Sequence, residues 1–175
     1  MRAFALSLIL LASLGGAAQA EVAERSAQGF TSKTVVSVAA PKARAWEALL
    51  APAKWWAPSH TYSGSAANLV MDLERDCFCE LLPGRGRVRH MTVVYADGAT
   101  LRLFGGLGPL QTTGASGHLI LSVKDAGRGS EITLTYAVSG HATGGLAETW
   151  AAPVDGVLGQ QLARLKRYLE TGKPE

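Results

Sequence analysis

Charge is scarce in this sequence: Asp, Glu, Lys and Arg make up 18% of its 175 residues, and the formal net charge is only +3. The basic residues are spread out rather than clustered. The two denser groups, Arg85-Gly86-Arg87-Val88-Arg89 and Arg164 to Arg167, read as solvated faces of a strand and a helix, so no nucleic-acid partner is expected. Cysteine is limited to Cys77 and Cys79, and a chain of this length has a core large enough to need no staples. No apolar run reaches the roughly 20 residues of a spanning helix, which argues against a stable membrane anchor. Several catalytic signatures are missing as well. There is no Gly-x-Ser-x-Gly elbow and no His-Glu-x-x-His pair, so the standard hydrolase and metalloprotease routes have no support. Gly105-Gly106-Leu107-Gly108-Pro109-Leu110 lacks the Gly-Lys-Ser/Thr ending of a phosphate cradle and reads instead as a glycine hinge over a cavity mouth. No cofactor is indicated.

What is present begins with a leader. Met1-Arg2 gives a positive start, Ala3 to Leu14 is apolar apart from serines, and Ala18-Gln19-Ala20 supplies a small-x-small cleavage site. Residues 1–20 are therefore expected to be a signal peptide, with the mature chain exported to the periplasm or secreted. The leader has no twin arginine and no cysteine near its end, so neither folded export nor lipid attachment is indicated. Residues 21–29 are polar and unpatterned and are expected to form a flexible lead-in. Residues 30–171 are expected to form a single domain.

Within that domain, Phe30 to Ala39 is rich in Val and Thr and predicts a strand, followed by Pro41 at the start of a helix. Trp46, Leu49 and Leu50 give that helix one apolar face, and Pro52 ends it. A short second helix is expected through Lys54 to Trp56. From Asn68 to Gly140 the period is two, with strands expected at 69–73, 76–82, 87–96, 99–104, 117–125 and 130–139. Asp97-Gly98 and Ala126-Gly127-Arg128-Gly129 are hairpin chemistry, so the sheet should be antiparallel. Val154, Val157, Leu158, Leu162, Leu165 and Leu169 form the stripe of a long helix over Ala151 to Glu170, whose partner must be the inner face of the sheet. The fold class is thus α+β, a curved antiparallel sheet of about seven strands gripping a C-terminal helix.

Val36-Ser37-Val38-Ala39-Ala40-Pro41 leading into Trp46-Glu47-Ala48-Leu49-Leu50, then Lys54-Trp55-Trp56, and the closing Pro153-Val154-Asp155-Gly156-Val157-Leu158-Gly159-Gln160-Gln161-Leu162-Ala163-Arg164-Leu165, together resemble the START-like or SRPBCC superfamily. This group includes polyketide cyclase/dehydrase-like proteins. The resemblance runs from about Thr31 to Leu169 and implies a helix-grip fold with a cavity between sheet and last helix. Its members bind lipids, sterols or aromatic products, cyclise polyketides, or assist other proteins. It implies no universal catalytic motif.

The dense segment Trp55-Trp56-Ala57-Pro58-Ser59-His60-Thr61-Tyr62 joins rigid rings to hydrogen-bonding tips, the composition of a mostly apolar pocket with a few fixed polar contacts. Trp55, Trp56, His60 and Tyr62 are candidates for its rim, the tryptophans also reading as core anchors. In Asp76-Cys77-Phe78-Cys79-Glu80 the acids share one strand face and the cysteines the other, so solvated acids would turn Cys77, Cys79 and Leu81 inward. Solvated Arg87 and Arg89 would turn His90 inward beside the cysteines, with Leu103 and Tyr136 completing the cavity. A relaxed disulfide between residues i and i+2 of a regular strand is not expected without a bulge. The thiols read as packed and inert, as a soft-metal site with His90 and with His60 from the loop, or as a redox pair. Three functions remain: binding of a small hydrophobic or aromatic ligand, which is favoured; a polyketide cyclase/dehydrase- or hydrolase-like enzyme with His60 or His90 as base and Tyr136 polarising a carbonyl; or an assembly-assisting protein.

Overall fold

A computed structural model describes residues 19–175; the expected leader, 1–20, lies almost wholly outside the described residues. Eight antiparallel strands form one sheet. In chain order they are β1 (Gln19–Ser26), β2 (Gly29–Val38), β3 (Leu69–Asp72), β4 (Cys77–Leu81), β5 (Arg87–Ala96), β6 (Thr100–Gly105), β7 (Gly114–Ala126) and β8 (Gly129–His141). Their spatial order is β1-β2-β8-β7-β6-β5-β4-β3, so neighbours in sequence are neighbours in space except where β8 returns to pair with β2. Helix α1 (Lys42–Leu49) and three short 3-10 turns fill the link from β2 to β3, and α2 (Leu146–Thr171) closes the chain. No helix among the described residues is long and apolar enough to cross a membrane.

Period two works as it should across β7 and β8. Leu119, Leu121 and Val123 are buried, as are Ile132, Leu134, Tyr136 and Val138, because alternate side chains of each strand fall on the face that α1 and α2 cover. Helix α2 contributes Leu158, Leu162 and Leu165 to the same core and lies chiefly along β2 and β1. Polar pins fix it there: Ser32 Oγ donates to Asp155 Oδ1 at 2.6 Å, and Lys166 Nζ donates to the Ser37 carbonyl at 2.9 Å.

Three sequence expectations change. Residues 21–29, expected to be a flexible lead-in, form most of β1 and its turn into β2, which raises the strand count to eight. A polar edge strand carries little periodic signal, since only Val22 packs against the core. The helix expected from Ala151 starts at Leu146, with Leu146 and Ala147 buried and Pro153 inside it. Proline is a sound first-turn signal, but here one backbone hydrogen bond is given up within a helix that packing holds in place. The short helix expected through Lys54 to Trp56 is instead a 3-10 turn over Pro52–Lys54.

Candidate functional site

Alternation fails at β4 and β5, and the site is built on that failure. Phe78 pairs with Met91 but Cys79 pairs with Arg89, so His90 is an extra residue in β5. Such a bulge re-aims side chains, and here both His90 and Met91 are buried while Val94 is turned out. On β4 the inward residues are Phe78 and Glu80, with Leu81 56% exposed. The solvated-acid assumption is what fails: the Glu80 side chain is fully buried because it has three donors waiting for it. Its carboxylate accepts the backbone N–H of Tyr62 at 3.1 Å and of Ser63 at 2.5 Å, and it lies 2.9 Å from His90 Nε2.

These contacts shift the titration of both groups. Burial alone would raise the Glu80 carboxyl, but the hydrogen bonds from Ser63, Tyr62 and His90 outweigh it and hold the group below the usual carboxylate range. Burial pushes the His90 imidazole down more than the neighbouring carboxylate lifts it. Near neutral pH both shifts favour a carboxylate facing an uncharged imidazole. The His90 ring lies between Phe78, at 5.2 Å between centroids, and Tyr62, stacked at 5.8 Å.

The loop after α1 is tied to α2 by two side chains. The buried Gln161 accepts the Ala57 N–H through Oε1 at 2.8 Å and meets His60 Nδ1 through Nε2 at 2.7 Å. Arg164 Nε donates to the Trp55 carbonyl at 2.9 Å. Trp56 Nε1 donates to the His60 carbonyl at 3.0 Å, and Trp55 Nε1 to that of Ala48 at 2.7 Å, so both indoles are anchored. On the other side, Tyr136 Oη donates to the Gly105 carbonyl at 2.8 Å and accepts the Leu107 N–H at 3.0 Å. Burial pushes this phenol up to about 12. The hydroxyl is thus spent on pinning the glycine loop, whose Gly105 and Gly108 adopt positive φ, and is not free to polarise a carbonyl.

Between these parts lies a cavity of about 260 Å³, walled by Trp56 and Phe78, by Leu107 and Pro109 of the glycine loop, and by Val154, Val157 and Leu158 of α2. His60, Tyr62, His90 and Tyr136 also line it. Five expected cavity residues are thereby brought together: Trp56, His60, Tyr62, His90 and Tyr136. The other five lie elsewhere. Trp55 and Leu103 border a separate void of about 20 Å³ deeper in the core, Leu81 is on the surface, and Cys77 and Cys79 are bonded to each other away from the cavity. The cysteine pair spans 5.4 Å between Cα atoms, opposite the extra residue of β5. A Cys77–Cys79–His90 metal site is therefore not assembled, and no cluster of three or more metal-ligating residues occurs among the described residues. Glu80 was missed by sequence reasoning; its only trace is an acid at a strand position next to Phe78, with His90 ten residues on.

Among solved structures the chain is similar to EF2215, a conserved protein of unknown function from Enterococcus faecalis (17% identity, 89% of this chain and 78% of that one, TM-score 0.60). It is also similar to CalU16 from Micromonospora echinospora (14%, 91% and 88%, TM-score 0.60) and to an uncharacterized protein from Rhizobium leguminosarum (18%, 88% and 98%, TM-score 0.55). The superpositions show a shared fold. No curated protein sequence matches the chain. Residues 30–170 match the family described as "Polyketide cyclase / dehydrase and lipid transport", of SRPBCC type. With that match spanning nearly all of the helix-grip domain, the chain belongs to the polyketide cyclase/dehydrase and lipid transport family.

Proposed function

We propose that this protein is an exported binder of a small hydrophobic or aromatic molecule, held between the sheet, the glycine loop and the Val154–Leu158 stretch of α2. The observation that carries the reading is the cavity itself, about 260 Å³ with mostly aliphatic and aromatic walls, near the lower end of small-molecule sites. Membership of a family whose description includes lipid transport supports the same class of ligand. The leader pattern of residues 1–20 supports export, and cleavage after Ala20 leaves Glu21–Ser26 of β1 in place. A disulfide is also at home in an oxidising compartment.

The test is to fill the cavity. Val157 lines it from α2, so Val157→Trp is expected to abolish binding of an uncharged fluorescent probe such as N-phenyl-1-naphthylamine while the fold persists by circular dichroism. Unchanged probe affinity in this variant refutes the reading. N-terminal sequencing of exported protein is expected to start at Glu21, and retention of the leader refutes the export half alone. A cyclase- or hydrolase-like activity in the same cavity is the second reading, favoured by the Glu80–His90 pair, a carboxylate-held imidazole of the kind used as a general base.

A further inference from the structure

The Cys77–Cys79 bridge encloses a single residue, so it closes almost no loop and gives little of the stabilisation that long-range disulfides give. Its place in the sheet is what matters. The enclosed residue is Phe78, which walls the cavity and lies 5.5 Å from the Trp56 ring and 5.2 Å from that of His90. The residue after the bridge is Glu80, whose carboxylate holds the Tyr62–Ser63 backbone and His90. Both the apolar wall and the polar corner of the site therefore depend on the strand segment that the bridge fixes.

The bridge also fixes the length of that segment. Residues i and i+2 of a regular strand are about 6.6 Å apart, whereas the Cα atoms of Cys77 and Cys79 are 5.4 Å apart. Strand β4 is thus contracted at Phe78, opposite the place where β5 carries the extra residue His90. Opening the bridge removes the covalent hold on this contraction, and a lengthening β4 carries Phe78 and Glu80 along β5.

The pair is approached without entering the cavity. Alternation puts both cysteines on the sheet face opposite to Phe78 and Glu80, with Cys79 half-buried and Cys77 buried. This asymmetry makes Cys79 Sγ the sulfur open to attack and Cys77 the leaving group. Arg89 faces Cys79 across the ladder, and its Nη1 donates to the carbonyl of Asp76, next to Cys77, at 2.7 Å. A guanidinium beside the pair favours a departing thiolate. Asp72, opposite Cys77 on β3, has its charge offset by Arg75 at 2.7 Å.

We propose that Cys77–Cys79 is a thiol–disulfide exchange site that controls the cavity from the back of its wall: a small dithiol opens the bridge, and the protein loosens its hold on the ligand. One thiolate of the dithiol attacks Cys79 Sγ, the Cys77–Cys79 bond breaks, and Cys77 departs as a thiolate that takes up a proton. The second thiol then closes onto the first and displaces Cys79, so two electrons and two protons pass to the protein and the dithiol leaves as its own disulfide. The inference rests on the ligand-binding role proposed above and adds its control. Coupling between two sites is reciprocal, so a bound ligand protects the bridge from reduction by the same factor.

Dithiothreitol as the dithiol and N-phenyl-1-naphthylamine as the ligand test both directions. Reduction of the folded protein, read by alkylation of Cys77 and Cys79 and mass spectrometry, is expected to weaken the probe about five- to tenfold, the lower range of coupling between sites. In mixtures of reduced and oxidised dithiothreitol, saturating probe is expected to raise the ratio needed for half-reduction by the same factor. The double variant Cys77→Ser, Cys79→Ser is expected to bind like the reduced wild type and to ignore dithiothreitol; the wild-type measurements decide even where that variant fails to fold. A bridge that resists dithiothreitol in the folded protein, a reduced protein that binds the probe as tightly as the oxidised one, or a response to dithiothreitol that persists in the double variant overturns the inference and leaves the binding role standing. Failure of the oxidised wild type to bind the probe removes the binding role and the inference with it.

Discussion

The inner face of the sheet is built by one rule across β7 and β8 and by another across β4 and β5. In the first region every second residue points inward, the inward residues are almost all aliphatic, and only a void of about 20 Å³ is left against the helices. In the second, a bulge sends two consecutive residues inward, a glutamate lies buried beside a histidine, and packing leaves a cavity. Regular alternation produces a solid interior. Breaking it at one residue admits polar groups, and their fixed hydrogen bonds hold open a space that the apolar half would have closed.

Substitutions in the two regions should therefore differ in kind. Glu80→Ala strips the partner from two backbone N–H groups and from His90 Nε2. It is expected to cost about 3–5 kcal/mol in urea denaturation and to abolish binding of the naphthylamine probe. Leu134→Ala, in the solid half, should cost about 3 kcal/mol through its cavity yet leave probe affinity unchanged in the folded protein. Loss of binding in both variants would erase the distinction between the halves. Tyr136→Phe joins them, because the ring belongs to the solid half and the hydroxyl to the cavity wall. It is expected to cost about 1–2 kcal/mol and to weaken probe binding by releasing the glycine loop, with both readings from the same titrations.

The gentlest perturbation is acid. His90 has a folded pKa below its ordinary 6.5, so the unfolded chain takes up a proton first, and stability should fall as the pH drops through 6.5 toward the folded value. Glu80 is held below its ordinary 4.5; the stability it contributes is present above that pH and is lost as the pH falls through its lower folded value. Urea midpoints should show the first decline in the wild type and not in His90→Gln, whereas a flat wild-type profile between about pH 7 and 5 would contradict the assignment.

What sequence could reveal follows the same division. The β7–β8 hairpin, the long helix stripe and the helix-grip plan were legible because each rests on a periodic pattern repeated over many residues. The inward turn of His90 was legible too, from its alternation with Arg87 and Arg89. Glu80 was not, since an acid on a strand is ordinarily solvated, and nothing near it in sequence names Tyr62 and Ser63 as its donors. The same assumption carried Cys77, Cys79 and Leu81 to the wrong face. The bulge is invisible because it is a property of pairing between strands rather than of either strand. Strand β1 was hidden by its polarity, and the start of α2 by a proline that ordinarily opens helices.

The return of β8 to β2 sets local contacts against distant ones. Every hairpin from β3 to β8 joins neighbours in the chain, but the strand that borders β8 was laid down about a hundred residues earlier, and α2 comes last of all. The wall formed by Val154, Val157 and Leu158 is part of that final piece. A chain stopped after β8 would lack that wall, so the cavity is bounded only once the last element of the chain is in place.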